Sequence, residues 1–560
     1  MNSKMKRRDF LKVSALSSLA LVAAAWGPTP TTKAVTATVP AAAPKAPEKT
    51  EIAFTGEIWF DAQIYTPTSE KVDPDPYAPI REAMKTLATE WMVLHPGIQL
   101  KFYFYPSALA GIERSDWLNV QRIGGTGPDI YRESLSVLNT RADVGWVVPL
   151  NTYLEMPNMH TPADTTTWKN TFKSPFQTFF SPKGLWGGIP MDLVSTGVYC
   201  NLELFDSVGI DLATEIVPAL GSPADWATLI SWCNLFKEAG INAFSMGMYI
   251  LEWWLQGVLA DQLFWNLTPT FDVLNYHTPM PMVLQENLIS QEELIMQYTC
   301  NNWKAFAEPA TRTIFEIYKE LTQFMPDGFV NPDMWWSAYD LFIEGNLAMF
   351  WDGSWSVGPI TQDTRREFDF SSFWLPPLTQ ATTPLAKDPP LLPIGVGGYG
   401  GISYGIDSSC IAKGNVYDCV DWLMFITTPE HDELVVNEVP SFVPSNKNSD
   451  SLPEVEKLFV GETRLVGGAS GHPWPVPMDW FNDPEGKYTK TFKREMTMYL
   501  LDQQDLDTFM THMDESTKNA LPAIIRASAI QYSYTGSWDL TEWTCEPNAM
   551  YEVAVPLVRK

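Results

Sequence analysis

The sequence is poor in the residues that hold metals and redox groups. Its 560 residues include six cysteines and six histidines, no two cysteines form a C-x-x-C pair, and none precedes Cys200. This pattern does not indicate a zinc ribbon, a thioredoxin-type motif or a lipid-modified cysteine near the amino terminus. We therefore expect no metal and no cofactor. Cys410 and Cys419 could pair as a disulfide in an oxidising compartment, and burial as free thiols is an equal alternative.

Positive charge and long apolar runs are also scarce. The chain has 38 basic against 66 acidic residues, which gives a formal net charge of -28. A nucleic acid would meet a repulsive field, so nucleic-acid binding is excluded, while solubility alone would also account for an acidic surface. No segment after residue 25 is apolar enough to span a membrane. The absence of a short-period repeat disfavours a solenoid or a propeller.

The rest of the composition is that of a folded protein of more than one lobe. Hydrophobic residues make up 45% of the chain and charged residues 19%, which is enough apolar material for sizeable cores. A chain of 560 residues exceeds what one hydrophobic core usually serves. Two lobes or domains are therefore expected.

The first segment is typical of an export signal. Arg7 and Arg8 are followed by Asp9-Phe10-Leu11-Lys12 and by an apolar run over residues 13–25. That run is shorter than the roughly 20 residues needed to span a bilayer. The paired arginines resemble the twin-arginine signal, so the twin-arginine translocase is an expected partner during export. We assign residues 1–25 to this signal, leave open whether it is cleaved, and assign residues 26–50, rich in Ala, Pro and Thr, to a linker.

Strand and helix patterns alternate in the body of the chain. A strand-like run at residues 57–60 is followed by a helical pattern over residues 78–94, which ends at His95-Pro96-Gly97, and by a second strand-like run over residues 98–105. This order, with a connection long enough for a crossover, predicts a parallel unit of an α/β domain. A further helix is predicted over residues 223–240, with Asp225 as its N-cap.

Several short motifs follow one another in the order of a known family. The first set is His95-Pro96-Gly97-Ile98, Gly127-Pro128-Asp129-Ile130, Val148-Pro149-Leu150, and Gly187-Gly188-Ile189-Pro190 ahead of Tyr199-Cys200-Asn201. The second set is Ser222-Pro223-Ala224-Asp225-Trp226, Phe342-Ile343-Glu344-Gly345-Asn346-Leu347-Ala348-Met349 leading to Gly353-Ser354-Trp355, Gly397-Gly398-Tyr399-Gly400, and Phe425-Ile426-Thr427-Thr428-Pro429-Glu430. Together they resemble the bacterial extracellular solute-binding proteins of family 1, the ligand receptors of ABC-type sugar importers, which include maltodextrin-binding proteins. The similarity runs from about residue 52 to the helix predicted to begin at Asp505.

The resemblance implies an α/β, two-lobed periplasmic-binding-protein-like fold with a ligand cleft between lobes joined by crossing segments. The amino-terminal lobe would take residues 51–190 plus 370–440, and the carboxy-terminal lobe residues 191–369 plus 441–560. Regions 250–300 and 376–395 look like insertions. The family's function implies capture of a mono- or oligosaccharide by cleft closure and its delivery to an ABC permease with its ATPase. The protein would be a monomer in the periplasm or at the outer face of the cell envelope.

Aromatic residues are the first candidates for a sugar site, because the flat C–H faces of a sugar stack on aromatic rings. They form 13% of this chain, including 23 tryptophans. The resemblance places Trp355 where relatives commonly have a stacking tryptophan. It also places Trp253 and Trp254 in a ligand region, where one could face the cleft and the other the core. Trp474 is a weaker candidate.

Polar candidates lie at strand ends and in one glycine loop. Asp61 follows the first strand, where open α/β sheets place ligands, and capping of a turn is an equal alternative. Asp192 falls where the chain should pass between lobes, and its carboxylate could accept bonds from paired hydroxyls, with a solvated surface position as the alternative. The remaining candidates are Tyr131, Glu133, Gly398 and Tyr399. Surface exposure is the alternative for Glu133, and a simple turn for the glycine loop.

Two rival functions are weighed against capture. A secreted glycoside hydrolase would combine aromatics with two catalytic carboxylates, but no local acid/base motif is present. A redox enzyme would agree with twin-arginine export, but metal-spaced cysteines and histidines are missing. We therefore predict a binding protein without enzymatic activity. Its ligand could also be glycerol phosphate or a polyamine, although the aromatic content favours a neutral sugar.

Overall fold

A computed structural model provides the fold. It describes residues 56–71, 79–104, 114–173, 176, 180–181, 183–267, 271, 273–274, 289–332, 334–397, 401–452, 464–466, 476–481, 483, 486–531 and 538–546. The predicted signal and linker, with Arg7 and Arg8, lie outside these residues. Among the described helices, none combines the length and the apolar character that crossing a membrane would require.

The described strands alternate with helices along the chain. The strands are β1 (Gly56–Phe60), β2 (Ile98–Phe102), β3 (Ile130–Glu133), β4 (Ile189–Pro190), β5 (Asp192–Leu193), β6 (Thr196–Asn201), β7 (Asn242–Met246), β8 (Leu347–Gly353), β9 (Phe370–Phe373), β10 (Ile394–Val396), β11 (Ser403–Ile406), β12 (Val443–Pro444) and β13 (Arg464–Val466).

The described helices include short ones near the crossing segments and long ones at the carboxy-terminal end. They are α1 (Ala83–Leu94), α2 (Arg114–Ile123), α3 (Leu135–Asp143), α4 (Asn151–Leu154), α5 (Leu202–Ser207), α6 (Leu212–Glu215), α7 (Trp226–Glu238), α8 (Trp253–Leu263), α9 (Gln291–Thr299), α10 (Pro309–Thr322), α11 (Met334–Ile343), α12 (Val357–Gln362), α13 (Ser409–Lys413), α14 (Val416–Ile426), α15 (Pro429–Val436), α16 (Lys487–Leu500) and α17 (Leu506–Gln531).

Local sequence explains where several helices begin and end. Asp225 accepts the backbone N–H of Thr228, which confirms it as the N-cap of α7. Ser290 and Glu293 form a reciprocal capping box at α9. Helix α1 stops at Leu94, just ahead of the proline and glycine that were predicted to end it.

The first lobe is built on a mixed sheet with the strand order β2-β1-β3-β11-β4. Strand β1 runs parallel to β2 and β3, which confirms the predicted parallel unit, whereas β11 runs antiparallel to β3 and β4. One face packs on a core that contains Ile58, Phe60, Trp91 and Trp422. Residues from before position 191 and after position 402 meet in this core, so the lobe is discontinuous in sequence.

The second lobe has a sheet with the order β7-β8-β6-β9. Strands β7 and β8 are parallel, and β6 is antiparallel to β8 and β9. Its core contains Trp226, Phe244 and Trp351 together with residues of α16 and α17, such as Phe492 and Phe509. The two-lobed α/β fold is therefore as predicted.

The lobe boundaries differ from those expected at residues 370 and 440. Strand β9 pairs with β6 in the second sheet, and Val396 still packs in the second core, so the chain returns to the first lobe only after that residue. Likewise, the side chain of Asn446 donates to the carbonyl oxygen of Thr427 at 2.9 Å and keeps the chain on the first lobe past residue 440. Sequence motifs mark strands, but they do not show which sheet a strand joins.

The cysteines also differ between the lobes. Cys300 and Cys545 form a disulfide in the second lobe, a pair that the sequence did not reveal. Cys410 and Cys419 are both buried free thiols, which is one of the two alternatives left open. Near the disulfide, Glu292 accepts the Trp543 indole N–H at 2.7 Å, so a segment close to the carboxy terminus is held against α9.

Candidate functional site

The two lobes are joined by segments that lie side by side. Strand β5, on the first crossing from lobe one to lobe two, pairs with β12 of a later crossing, with Val443 opposite Leu193 and Pro444 opposite Asp192. A rotation of one lobe against the other is absorbed in the segments that join them, and β5 and β12 belong to two such segments among the described residues.

The return crossing lies beside the same strand. Ser195 forms an antiparallel bridge with Gly397, and the Met191 N–H donates to the Ile402 carbonyl oxygen at 2.9 Å. We call residues 191–195, Gly397, Ile402 and β12 the hinge ribbon. The residues that directly follow β4 and β10 belong to this ribbon. Ser354, which directly follows β8, is hydrogen bonded to it.

Trp355 lies directly beside the hinge ribbon. Its neighbour Ser354 donates a backbone N–H to the Ser195 carbonyl oxygen at 2.7 Å, and the Trp355 carbonyl oxygen accepts the Ser441 hydroxyl at 3.5 Å. The indole is partly buried and packs against the cores of both lobes. A Cβ on Gly353 would overlap the ring, so glycine is needed there for the ring to take this position.

Two more predicted tryptophans join it. Trp253 and Trp254, at the start of α8, stack with ring centroids 4.7 Å apart and planes at 15°. Trp254 then meets Trp355 edge to face at 6.0 Å and 74°. All three rings are partly buried, so each keeps some surface accessible. We call this group the tryptophan corner, and it unites residues from two elements about a hundred positions apart.

A polar group that sequence reasoning missed adjoins the tryptophan corner. Glu252, at the N-cap of α8, accepts the ammonium of Lys493 from α16 at 2.6 Å, and this ammonium lies 5.7 Å from the Tyr249 ring centroid. Burial, followed by the charge of Glu252, raises the pKa of Asp479 to about 6. Tyr249 and Glu252 adjoin the predicted tryptophans in sequence, whereas nothing in the sequence connects Lys493 or Asp479 with them.

Asp61 is held in a turn of the first lobe. It is only 5% exposed, its backbone N–H donates to Ile130, and its carboxylate accepts the Gln63 N–H at 3.2 Å. Burial and, second, the charge of Asp61 raise the pKa of the Tyr103 hydroxyl, so these two side chains face one region. The turn-capping role weighed for Asp61 is therefore present in the structure.

Tyr131 and Glu133 lie on one face of β3, beneath helices α2 and α3. The Tyr131 ring is fully buried between the guanidinium groups of Arg122 at 5.3 Å and Arg141 at 5.7 Å. Arg141 also donates to the Tyr131 hydroxyl at 3.3 Å and lies 3.6 Å from the Glu133 carboxylate. The structure thus places both residues in an internal network and does not bring them to the tryptophan corner.

Asp192 lies inside the hinge ribbon and has no exposed surface. One carboxylate oxygen accepts the Tyr65 hydroxyl at 2.6 Å, and the other accepts the Ile402 N–H at 3.1 Å. The predicted position between the lobes is therefore observed, with both oxygens engaged by the chain itself. Gly398, Tyr399 and Trp474 lie outside the described residues.

The tryptophan corner places flat rings next to one negatively and one positively charged side chain, Glu252 and Lys493, both of which form hydrogen bonds. Within the described ranges, no three His, Cys, Asp or Glu side chains come together in a way that could hold a metal ion. Rings give a surface for C–H faces, and the Glu252–Lys493 pair gives an acceptor and a donor for hydroxyls. Such a set is suited to holding a neutral polar molecule.

Comparisons with known proteins agree with this architecture. The family model for bacterial extracellular solute-binding protein matches residues 77–423. A search of the curated proteins found no match. Among solved structures, a chitin oligosaccharide binding protein is similar with a TM-score of 0.55 at 16% identity, covering 83% of this chain and 99% of that chain.

Two further solved structures are similar at the level of the fold. RafE in complex with raffinose has a TM-score of 0.51 at 13% identity, covering 82% of this chain and 98% of its own. The maltose-bound MalE3 of T. maritima has a TM-score of 0.51 at 14% identity, covering 83% of this chain and 99% of its own.

Proposed function

This chain belongs to the bacterial extracellular solute-binding protein family, and we propose that it captures a mono- or oligosaccharide between its lobes. The observation that carries the proposal is the tryptophan corner beside the hinge ribbon. Solved structures of similar fold bind chitin oligosaccharide, raffinose and maltose, which supports a carbohydrate as the class of ligand.

The chemistry of the corner fits a neutral sugar. Trp254 and Trp355 meet at 74°, so two ring surfaces of different orientation can contact a pyranose and its neighbour. Glu252 and Lys493 are both about one-third exposed and can exchange part of their mutual bond for sugar hydroxyls. A phosphorylated ligand would meet Glu252 and Asp479 as well as Lys493, so a neutral ligand is favoured.

Capture is coupled to closure of the lobes. A ligand stacked on Trp355 bears on a residue that packs against both cores and whose carbonyl oxygen accepts the Ser441 hydroxyl. Its neighbour Ser354 donates to Ser195 of the first crossing. Ligand contacts made in the closed form alone shift the population toward that form, and a shift from 1:99 to 99:1 requires about 5.5 kcal/mol of differential affinity.

The closed form would then deliver the sugar to an ABC permease powered by its ATPase. The protein acts as a binding component without enzymatic activity, as a monomer, in the periplasm or at the outer face of the envelope. Arg7 and Arg8 support export by the twin-arginine translocase. The Cys300–Cys545 disulfide agrees with an oxidising compartment.

Thermal unfolding of the purified full chain with a sugar panel tests the proposal. The panel contains maltose, raffinose and chitin oligosaccharides, with glycerol phosphate and a polyamine as ligands of other classes. At a hundredfold excess over Kd, a bound sugar should stabilise the protein by about 2.7 kcal/mol. A shift by the polyamine or glycerol phosphate alone, or hydrolysis of any panel sugar, would contradict the proposal.

A matched pair of variants locates the site. Trp355→Ala should reduce the stabilisation by the best sugar from about 2.7 to about 0.9 kcal/mol at the same sugar concentration, because binding is weakened roughly thirtyfold. Trp336→Ala should leave it unchanged, because Trp336 is 64% exposed on α11. Equal loss of the shift in both variants would show that the tryptophan corner is not the ligand site.

A further inference from the structure

We propose that Asp192 is a positioning residue that holds the hinge ribbon together when protonated and loosens it on ionisation, so that ligand affinity depends on pH. This inference rests on the proposed function for its effect on ligand, while its effect on the hinge can be measured without any ligand. Asp192 would accordingly act through the crossing segments and make no ligand contact.

Three separate parts of the chain meet at this carboxylate. Tyr65 belongs to the turn after β1, Asp192 to the first crossing, and Ile402 to the return crossing, and the two hydrogen bonds join them within 2.6 and 3.1 Å. Strand β5, which carries Asp192, also pairs with β12, so this residue is tied to the first, the return and the later crossing.

The approach of the return crossing is unusually close. A Cβ on Gly401 would lie 3.2 Å from the Asp192 carboxylate and 2.6 Å from a Val194 methyl group, so the backbone reaches the carboxylate only because residue 401 is glycine. Arg132, from the end of β3, donates to the Gly401 carbonyl oxygen at 2.7 Å. Asp192 and Arg132 therefore hold the N–H and the carbonyl oxygen of one peptide group, that between Gly401 and Ile402, from two sides.

The groups facing the carboxylate set its charge. Burial raises the pKa of Asp192 to about 6, although the bonds from Tyr65 and Ile402 and then the charges of Arg132 and Arg81 act in the opposite direction. Tyr404 is buried near it, and Arg81 lies 5.1 Å from the Tyr65 ring centroid. From α15, the carboxyl of Asp432 also faces it, and burial keeps the pKa of that group well above its usual value.

Ionisation weakens the hold on the ribbon. The fully buried carboxylate binds its proton more tightly than a carboxyl exposed to water, whose ordinary pKa is near 3.9, so protonation favours the packed ribbon over an opened one. The stronger hydrogen bonds that the ionised carboxylate accepts from Tyr65 and Ile402 offset only part of the cost of burying its charge. Above pH 6 the return crossing should therefore open more often, and the lobes should lose their preferred alignment.

Hydrogen exchange of the ligand-free, full chain provides the test. The Ile402 amide, followed in small peptides between pH 5 and 7.5 and corrected for intrinsic rate, should exchange about tenfold faster at pH 7.5 than at pH 5. Asp192→Asn keeps the shape and an acceptor but cannot titrate. Its Ile402 amide should exchange at one rate over this range, close to that of the acid form of the wild type.

A pair of tyrosine variants gives an independent readout. Tyr65→Phe removes a donor that favours the charged form, so the midpoint of the exchange profile should move to higher pH. Tyr404→Phe is the control, because Tyr404 donates to the Ala62 carbonyl oxygen at 3.0 Å and not to Asp192. An unchanged midpoint in Tyr65→Phe, or the same pH response in Asp192→Asn as in the wild type, would overturn the proposal.

Binding measurements extend the test to ligand affinity. With maltose and a chitin disaccharide as probes, wild-type Kd should rise about tenfold from pH 5 to pH 7.5, while Asp192→Asn should show less than a twofold change. If neither sugar binds at any pH while exchange responds as expected, the proposed ligand class is wrong and the hinge assignment stands. A flat wild-type Kd for a sugar that does bind would overturn the link to affinity.

Discussion

The candidate residues of the two lobes differ in what they already bind. In the first lobe, Asp61 caps a turn and Tyr131 lies between two arginines, so their polar groups are used by the chain itself. In the second lobe, Trp253, Trp254 and Trp355 contact one another and keep partly accessible rings. A carboxylate predicted at a strand end can thus serve the structure of its own lobe, and the ligand site proposed for this protein is accordingly the aromatic group beside the hinge.

The lobes also differ in covalent support, and removing the disulfide should have the largest effect on stability. Cys300→Ser combined with Cys545→Ser opens a link across 245 residues and should lower the free energy of unfolding by about 2–4 kcal/mol. Denaturant unfolding with tryptophan fluorescence measures this loss. Cys233→Ser is a less disruptive control in the same lobe, and reducing agent should not affect the double variant further.

Trp355 provides the next largest effect and tests the comparison directly. Truncation to alanine should weaken binding of the best panel sugar by about 2 kcal/mol, or roughly thirtyfold, because a stacking ring is lost. Isothermal titration gives the change in Kd, and Trp355→Phe should recover part of it. A larger loss of affinity from Asp61→Asn than from Trp355→Ala would reverse the assignment of the two lobes.

Asp479 should make stability depend on pH in the second lobe. Its pKa of about 6 in the folded protein exceeds the ordinary value near 3.9 of an unfolded chain. Between these values the folded state binds the extra proton, so the contribution of Asp479 to stability falls as pH rises from 4 to 6. The free energy of unfolding of Asp479→Asn, measured with denaturant, should therefore rise by about 1–2 kcal/mol relative to that of the wild type between pH 4 and 7. A difference between the two proteins that does not change with pH would contradict this.

Replacing Tyr131 in the first lobe should have the smallest effect on stability and on ligand binding. It tests whether a first-lobe candidate serves the structure of its own lobe. Tyr131→Phe removes the hydroxyl that accepts from Arg141, so stability should fall by about 1 kcal/mol. The Kd for the best panel sugar should change by less than twofold. A tenfold loss of affinity without loss of stability would place Tyr131 in the ligand site after all.

The order of the elements and the second-lobe aromatics could be predicted from the sequence. The motif around Phe342–Met349 led to Trp355, which the structure places at the junction of the cores, and Asp225 caps α7 as expected. These features depend on short stretches of chain, where spacing and capping patterns determine the structure.

Long-range contacts could not be predicted in the same way. The partners of Asp192, namely Tyr65 and Ile402, are 127 and 210 positions away, and Lys493 is 241 positions from Glu252. The pairing of Cys300 with Cys545 has the same character. Whether a polar side chain is free for ligand depends on such contacts, so sequence located Asp192 between the lobes without showing that its oxygens are occupied.

The position of β11 has a consequence for the synthesis of the protein. This strand, Ser403–Ile406, lies between β3 and β4, both of which are made more than two hundred residues earlier. A nascent chain on the ribosome cannot complete its first sheet until most of the message has been translated. The segment predicted to be an export signal is therefore synthesised long before the first sheet can be completed.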